Sequence, residues 1–300
     1  MLARLQPLAH TNGLHAAAFT TLERRLIVHS DAAEVLEYLC SAYRRVRVPL
    51  PADSDDADVD RGHIFANNGA EWLVFNGEPV VYPEDKPATH FRLAFYGSSK
   101  LIRLSLRRND AWHSLYAAAL RLGDKAIVVS AQSGIGKTTL ALELMARGAG
   151  LFSDEFVFIR KSDRTVFGLP RALLIRERTL SVFRDPRLKA VCDASPPRVP
   201  HGDPVWDNID PGDVFGDHVF AQPARLAAAI MLERGPGTQA TVEHVPAALA
   251  AADFTKRINL ELDPFDRLTS AALMLSGIPC YRVGASSPAS AADAIEALLR

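Results

Sequence analysis

The chain has 300 residues, of which 48% are hydrophobic and 23% are charged. This composition is typical of a folded globular protein and excludes both a disordered chain and a bundle of membrane helices. Its 34 Lys and Arg residues nearly balance its 35 Asp and Glu residues, so the net charge does not favour nucleic acid or anionic lipid as a partner.

The cysteines and the apolar runs indicate the cellular compartment of the protein. Cys40, Cys192 and Cys280 form no C-x-x-C pair, so we expect neither a disulfide framework nor a structural zinc site. No apolar run approaches the roughly 18 residues of a membrane span, and no signal-peptide core develops near residue 1. These features predict a cytoplasmic protein without a membrane partner.

Residues 1–100 mix helix and strand signals and predict a smaller N-terminal α+β region. Apolar residues recur at helical spacing over 31–43, which predicts a helix. Asn76-Gly77 separates two short apolar runs within 72–82, and this pair predicts a tight hairpin turn because both residues accept positive φ.

An acidic stretch, Asp53–Asp60, lies in the same region. Its alternating aspartates are typical of calcium ligands, but an EF-hand loop beginning at Asp56 would need Gly and Glu where the sequence has Arg61 and Asn67. The stretch therefore indicates a solvated loop rather than a calcium site.

Residues 101–300 alternate between helix and strand signals, so we expect an α/β domain there. The proline-rich part of this region predicts a long loop. The predicted elements, in chain order, are a helix through 113–120, a strand over 126–130, a glycine turn, a helix over 137–147, a turn over 148–152, a strand over 156–159, a loop over 192–217, a strand over 228–232 and a helix opened by Ser287-Pro288.

The strongest chemical signal is a phosphate loop, Ala131–Thr138, between a predicted strand and a predicted helix. Its glycines let consecutive amide groups point inward, and the helix N-terminus adds a favourable dipole. Lys137 suits the β- and γ-phosphates, and the Thr138 hydroxyl suits Mg²⁺. A ligand-free turn would not explain these residues, so we expect a bound nucleoside triphosphate, with ATP and GTP both open. The predicted phosphate-binding residues are Ser133, Gly134, Ile135, Gly136, Lys137, Thr138 and Thr139.

An acidic pair, Asp154-Glu155, follows Lys137 after only 17 residues. Two adjacent carboxylates near a γ-phosphate suit the binding of Mg²⁺ and the acceptance of a proton from an attacking hydroxyl. A solvated helix-to-strand turn is the alternative interpretation. The neighbouring phosphate loop favours the functional one.

The run from Ser130 to Ile159 resembles the phosphate loop and acidic pair of HPr kinase/phosphorylase, a bacterial serine kinase whose fold is shared by PEP carboxykinase. It is more similar to the HPr-kinase-related proteins, in which an S-G-x-G-K-[ST]-T-L run precedes an S-D-E triplet. The resemblance is specific over 113–160 and absent from most of 1–100. It implies a PEP carboxykinase/HPr-kinase-like P-loop core over 101–300, with ATP and Mg²⁺ as its cofactors.

The resemblance also implies roles for single residues. Lys137 would hold the β- and γ-phosphates, and Thr138 would ligate Mg²⁺. Asp154 would take the proton from the substrate hydroxyl and contact the metal, with Glu155 supporting it. His113 would lie close to the transferred phosphate, although a buried structural histidine is an equal alternative at that position.

Three departures from the HPr kinases indicate a different acceptor. Those enzymes carry an acid where this chain has Thr139, an Asp-Asp pair where it has Asp154-Glu155, and Gly where it has Ser114. The differences argue against HPr as substrate and against reverse phosphorolysis. Related kinases modify peptide natural products, including a C-terminal serine of lasso peptides, so the resemblance implies a peptide or protein serine. HPr kinases form hexamers, which leaves a homo-oligomer open.

Arginines elsewhere in the chain could stabilise a transferring phosphate. Of the three in the run 171–178 we choose Arg171 as the functional one and expect the other two on a solvated strand face. Lys256, Arg257 and Arg282 are weaker candidates of the same kind.

The sequence therefore predicts a Mg-ATP-dependent kinase that phosphorylates a serine hydroxyl of a peptide or protein. Two alternatives stay open: a small-molecule kinase on the same scaffold, and a non-catalytic nucleotide-binding regulator. The adjacent carboxylates argue against the regulator, because a pure switch has little need of them.

Overall fold

The computed structural model describes residues 9–11, 13–50, 58–65, 72–80, 93–107, 110–197, 204–258 and 262–300. The chain divides into two compact units, Met1–Asn109 and Asp110–Arg300. The division predicted between residues 100 and 101 lies inside the helix Ser98–Arg107, which packs on strands of the first unit.

The described residues of the first unit form one mixed sheet and two α-helices. Its strand order is β1-β2-β3-β5-β6-β7, with β4 paired to β2, and the β3–β5 pair is parallel. The elements are β1 (Ala9–Thr11), β2 (Leu14–Thr21), β3 (Arg24–Ser30), α1 (Ala33–Ala42), β4 (Arg47–Val48), β5 (Val59–Phe65), β6 (Trp72–Phe75), β7 (Glu78–Val80) and α2 (Ser98–Arg107).

Two predictions for this region are confirmed, and a third is wrong for the last residues of the acidic stretch. The helix predicted over 31–43 is α1, and the predicted hairpin turn joins β6 to β7 with φ of 50° at Asn76 and 85° at Gly77. The acidic stretch, however, does not end as a solvated loop. Asp60 is buried in β5, where it accepts hydrogen bonds from Arg24 Nε at 2.9 Å and Ser105 Oγ at 2.7 Å. Residues 53–57 of the stretch, including the calcium candidate Asp56, lie outside the described residues.

In the second unit, the described strands form a nine-stranded sheet and a separate two-stranded one. The path β11-β9-β10-β16-β13-β12-β8 forms the large sheet, to which β18 adds beside β16 and β17 beside β18. The strands are β8 (Trp112–Tyr116), β9 (Ala118–Leu122), β10 (Lys125–Ala131), β11 (Gly150–Ser153), β12 (Phe156–Arg160), β13 (Thr165–Gly168), β14 (Leu173–Arg176), β15 (Val205–Ile209), β16 (Ala224–Arg234), β17 (Thr241–Val245) and β18 (Cys280–Ala285). The helices are α3 (Lys137–Ala146), α4 (Glu177–Val182), α5 (Pro186–Asp193), α6 (Pro211–Phe215), α7 (Ala247–Phe254), α8 (Pro264–Leu275) and α9 (Pro288–Leu299).

Helices cover both faces of this sheet, which explains the continuous apolar run in β10. Val129 and Leu144 of α3 belong to the core on one face, and Val128 and Phe254 of α7 belong to the core on the other. Because successive strand residues point to opposite faces, a strand buried on both sides needs apolar residues throughout. The predicted α/β class is confirmed.

The phosphate loop lies at the end of the sheet where the parallel strands have their carboxyl ends. Strand β10 is parallel to β16, and β16 is parallel to β18, so their carboxyl ends meet there. Ligands of α/β proteins bind at this position, beyond the carboxyl ends of the strands. The strands predicted over 126–130, 156–159 and 228–232 are confirmed as β10, β12 and β16, and the helices predicted over 137–147 and from Ser287-Pro288 are α3 and α9.

Three predicted elements of the second unit are wrong. The segment 113–120 is not helical but forms β8 and β9, because β12 and β10 supply antiparallel hydrogen-bond partners for it. The turn over 148–152 is interrupted by β11, which pairs with β9. The stretch 192–217 contains β15 and α6, and Pro211 starts α6 at a position where a helix needs no amide donor.

Among the described residues, no helix combines the length and the apolar composition that crossing a membrane requires.

Candidate phosphate-binding site

The phosphate loop joins the end of β10 to the start of α3. Gly134 has φ of 86° and Gly136 has φ of 122°, a region that L side chains rarely adopt. Leu140 N donates to Gly136 O at 2.8 Å, so the hydrogen bonds of α3 begin at the last glycine of the loop. The amide groups of the first turn therefore lie at the loop with no acceptor within the helix, which is the arrangement that binds phosphate.

The predicted phosphate-binding residues all lie in this loop and the first turn of α3. Ser133 is exposed, whereas Ile135 packs against the core beneath the loop. Thr138 and Thr139 are half-buried in the first helical turn. The structure thus brings together the backbone and side chains that the sequence assigned to a triphosphate.

Lys137 is the first residue of α3, and its ammonium group interacts with Asp154, Tyr116 and Arg257. Lys137 Nζ donates a hydrogen bond to the main-chain oxygen of Asp154 and lies 5.1 Å from the ring centre of Tyr116. Burial lowers the pKa of Lys137, the Asp154 carboxylate opposes this effect, and the positive charge of Arg257 adds to it. A phosphate oxygen would supply the negative charge that favours the protonated form.

Asp154 follows β11 and lies beside the first turn of α3. Thr138 Oγ1 donates to Asp154 Oδ2 at 3.1 Å. The buried Ser153 hydroxyl accepts hydrogen bonds from the main-chain nitrogens of Glu155 at 3.2 Å and Phe156 at 3.0 Å, which fixes the backbone around the acidic pair. Asp154 is therefore positioned at the N-terminus of α3, where a carboxylate is favoured.

Glu155 has a different partner from the one expected. Its Oε2 accepts a hydrogen bond from Arg171 Nη1, and the two residues are 7% and 6% exposed. A buried carboxylate and a buried guanidinium need each other, because either charge alone would carry a large desolvation cost. The structure thus pairs Glu155, expected as a metal-supporting residue, with Arg171, expected at the transferred phosphate.

His113 lies away from the phosphate loop. In the β8–β12 register it is opposite Ile159, whereas Tyr116, near Lys137, is opposite Phe156. Three strand residues, or about 10 Å, separate His113 from Tyr116. His113 is 4% exposed, its Nδ1 is 2.7 Å from Ser270 Oγ, and burial is the main cause that lowers its pKa to about 4. This environment is that of a neutral structural histidine, the alternative left open by the sequence.

The oxygen atoms at the loop are suitable ligands for a magnesium ion. Within the described part of the chain, no three His, Cys, Asp or Glu side chains group as a metal cluster. Magnesium in phosphoryl-transfer sites takes one or two carboxylates together with phosphate oxygens and water, so it does not require such a cluster. Thr138 Oγ1 and Asp154 Oδ2, 3.1 Å apart, are a hydroxyl and a carboxylate of the required kind.

The structure adds contacts to the loop that sequence spacing does not reveal. Arg178, expected on a solvated face, donates from Nη2 to Gly134 O at 2.6 Å. Ser130, the last residue before Ala131, donates to Asp253 Oδ2 at 2.8 Å. No motif marks these residues, since their partners are distant in sequence. The cation–π contact of Tyr116 is likewise hidden, because its segment was predicted to be a helix.

Together the fold and the loop define an α/β protein in which a strand–loop–helix has the backbone arrangement that suits a phosphate. The chain matches no protein-family model and none of the curated proteins. Among solved structures it is similar to the Hpr(Ser) kinase/phosphatase from Coxiella burnetii, with 15% sequence identity and a TM-score of 0.31. That match covers 62% of this chain and 93% of the other.

Proposed function

We propose that this protein is a cytoplasmic, Mg-ATP-dependent kinase that transfers the γ-phosphate to a serine hydroxyl of a peptide or protein. One observation carries the proposal: Lys137, Thr138 and Asp154 converge at the phosphate loop, with Thr138 Oγ1 3.1 Å from Asp154 Oδ2 and Lys137 Nζ bonded to Asp154 O. A cation, a metal-binding hydroxyl and a carboxylate are the groups that phosphoryl transfer to a hydroxyl requires.

The chain's own residues would act as follows. The loop amides and Lys137 bind the phosphates, and the half-buried position of Lys137 strengthens its attraction for them. Asp154 accepts the proton of the acceptor hydroxyl as the new oxygen–phosphorus bond forms and the bond between the γ-phosphorus and the β–γ bridging oxygen breaks. ADP is the leaving group. Mg²⁺, when bound at Thr138 and Asp154, would neutralise charge on the phosphates.

The acceptor class follows from the motif resemblance around the loop. The S-G-I-G-K-T-T-L run and the S-D-E triplet are similar to those of kinases that modify serine in peptides. The site geometry supports transfer to a hydroxyl, because a carboxylate lies next to the residues that would hold the γ-phosphate.

The test is an incubation of purified protein with γ-labelled ATP, Mg²⁺ and a panel of acceptors. The panel contains serine-ended peptides, HPr and small hydroxyl compounds. We expect label on a peptide, its loss with Lys137→Ala, and a rate decrease of roughly 10²- to 10⁴-fold with Asp154→Asn. Asp154→Asn should still bind ATP, because it removes a charge and not a loop amide.

Asp124→Asn is the matched control, since Asp124 is an exposed carboxylate at the opposite end of β10 from the loop. It should leave transfer unchanged. Full activity in Asp154→Asn would contradict the role of Asp154 as the base that accepts the proton. Label on a small compound alone would indicate a small-molecule kinase, and tight ATP binding without any transfer would favour a regulator.

A further inference from the structure

We propose that Arg257 is a second phosphate-contacting cation of this site, with Nη1 and Nη2 directed to the β- and γ-phosphates of a nucleoside triphosphate. The inference rests on the proposed function, because it requires a triphosphate in the loop. It selects Arg257 from the weaker basic candidates of the sequence, which the phosphate-loop motif alone cannot rank because Arg257 lies far along the chain from Lys137.

The main chain holds Arg257 next to the phosphate loop. Arg257 ends the turn that follows α7, where its N donates to Phe254 O at 2.8 Å. Its carbonyl oxygen accepts a hydrogen bond from Tyr116 N at 2.6 Å. Tyr116 is the residue whose ring lies 5.1 Å from Lys137 Nζ. A single residue therefore contacts both the backbone of Arg257 and the loop lysine.

The side chain is anchored at one end only. Arg257 Nε donates to Ser130 Oγ at 3.3 Å, and the same hydroxyl donates to Asp253 Oδ2 at 2.8 Å. Ser130 directly precedes Ala131, the first residue of the phosphate loop. Within the described residues, Nη1 and Nη2 have no hydrogen-bond partner. A half-buried guanidinium fixed through Nε thus keeps two donors for a ligand, and paired donors match the geometry of phosphate oxygens.

The charges explain why an anion belongs between these groups. Arg257 is close enough to Lys137 for its charge to lower the pKa of the lysine. Two cations brought together in a partly buried site repel each other, and an anion that contacts both removes the repulsion. The phosphates of the nucleotide are anions of this kind, and the loop amides are placed to donate hydrogen bonds to them.

The neighbouring Lys256 provides the contrast. Both residues are basic and adjacent, so the sequence alone cannot choose between them. Lys256 is exposed, whereas Arg257 is half-buried against Ser130. Removal of the Lys256 charge therefore leaves the loop contacts intact and is a matched control for removal of the Arg257 charge.

The experiment measures the affinities of ATP and AMP, each with Mg²⁺, by calorimetry for wild type, Arg257→Gln and Lys256→Gln. We expect Arg257→Gln to weaken ATP binding roughly 10- to 100-fold and AMP binding less than about twofold, because AMP lacks the two phosphates concerned. Lys256→Gln should change neither affinity. Unchanged ATP binding in Arg257→Gln, or equal weakening of ATP and AMP, would overturn the inference.

Two further outcomes separate this inference from the proposed function. If wild type binds no ATP, both the proposed function and the Arg257 contact are contradicted. If wild type binds ATP and Arg257→Gln binds it equally tightly, only the Arg257 contact is contradicted. If Arg257→Gln does not fold, Arg257→Lys serves instead, because it keeps the charge and loses the paired donors. Full ATP affinity in Arg257→Lys would overturn the two-donor contact, and a selective loss of ATP affinity would support it.

Discussion

Arg171 and Glu155 form an ion pair inside the second unit, next to the acidic residue that lies at the phosphate loop. The pair joins the start of β12 to the segment that precedes β14. Its position explains why Asp154 and Glu155, although adjacent, have different surroundings. Asp154 is half-buried and contacts the first turn of α3, whereas Glu155 is committed to an interior partner.

Removal of one partner of this pair should destabilise the protein strongly. We expect Arg171→Met to lower the free energy of unfolding by about 3–5 kcal/mol, because it leaves a buried carboxylate without its counter-ion. The double variant with Glu155→Leu should recover most of that loss, since it removes both charges. Urea unfolding of the three proteins measures this, and a single variant as stable as wild type would show that the pair is not needed.

Replacement of the Thr138 hydroxyl should affect the metal more than the nucleotide. Thr138→Val removes the donor to Asp154 and the hydroxyl that we propose as a ligand for Mg²⁺, so we expect ATP affinity in the presence of Mg²⁺ to fall roughly tenfold. With EDTA present, the affinities of variant and wild type should agree within about twofold. Thr138→Ser keeps the hydroxyl and is the control, and a similar loss in that variant would argue against metal ligation.

Arg178 should act through the conformation of the loop. Its hydrogen bond to Gly134 O satisfies a carbonyl that must turn away for the loop amides to face the phosphates. We expect Arg178→Ala to raise the KM for ATP roughly five- to tenfold with little change in unfolding free energy, because the side chain is exposed. Arg184→Ala is the control and should leave the KM unchanged, because this exposed arginine bonds, among the described residues, to Ser181 O and not to the loop.

His113 should affect the pH dependence of stability and not phosphoryl transfer. Its pKa of about 4 in the folded protein lies below the roughly 6.5 of an unfolded chain. Between these values the unfolded chain binds a proton that the folded chain does not, so the stabilising contribution is complete above pH 6.5 and is lost as the pH falls towards 4.

The measurement for His113 compares wild type with His113→Gln. From pH 7 to pH 4, wild type should lose about 3 kcal/mol more unfolding free energy than the variant. Transfer at pH 7 should stay within about twofold. A loss of activity of a hundredfold or more, without a change in this pH profile, would restore the catalytic role that the motif resemblance implies.

The local part of the site could be predicted from the sequence. A run of buried apolar residues, two glycines, Lys137 and Thr138 form a contiguous signal, because a strand–loop–helix unit is determined by neighbours in the chain. The acidic pair was also found, since β11 returns it directly from the end of α3. Its split into one loop residue and one buried ion-pair partner could not be found. That difference depends on Arg171, which lies between β13 and β14 and pairs with Glu155.

The non-local part could not be predicted for a different reason. His113, Leu115 and Tyr116 lie at positions that suggested a helical face, yet sheet pairing with β12 determines their structure. Pro211 was interpreted as part of a loop, although Asp210 caps its helix by accepting a 2.7 Å hydrogen bond from Gly212 N. In both cases the local pattern was compatible with two structures, and tertiary contacts decided between them.

The phosphate loop is held from both layers of helices that cover the sheet. Arg178 reaches Gly134 from the layer that contains α3, and Asp253 at the end of α7 holds Ser130 from the opposite layer. The contiguous motif is therefore not sufficient to rebuild the site in another protein. A graft of β10, the loop, α3 and the acidic pair into another sheet would carry every residue of the motif, but it would leave behind the two side chains that support the loop from above and below.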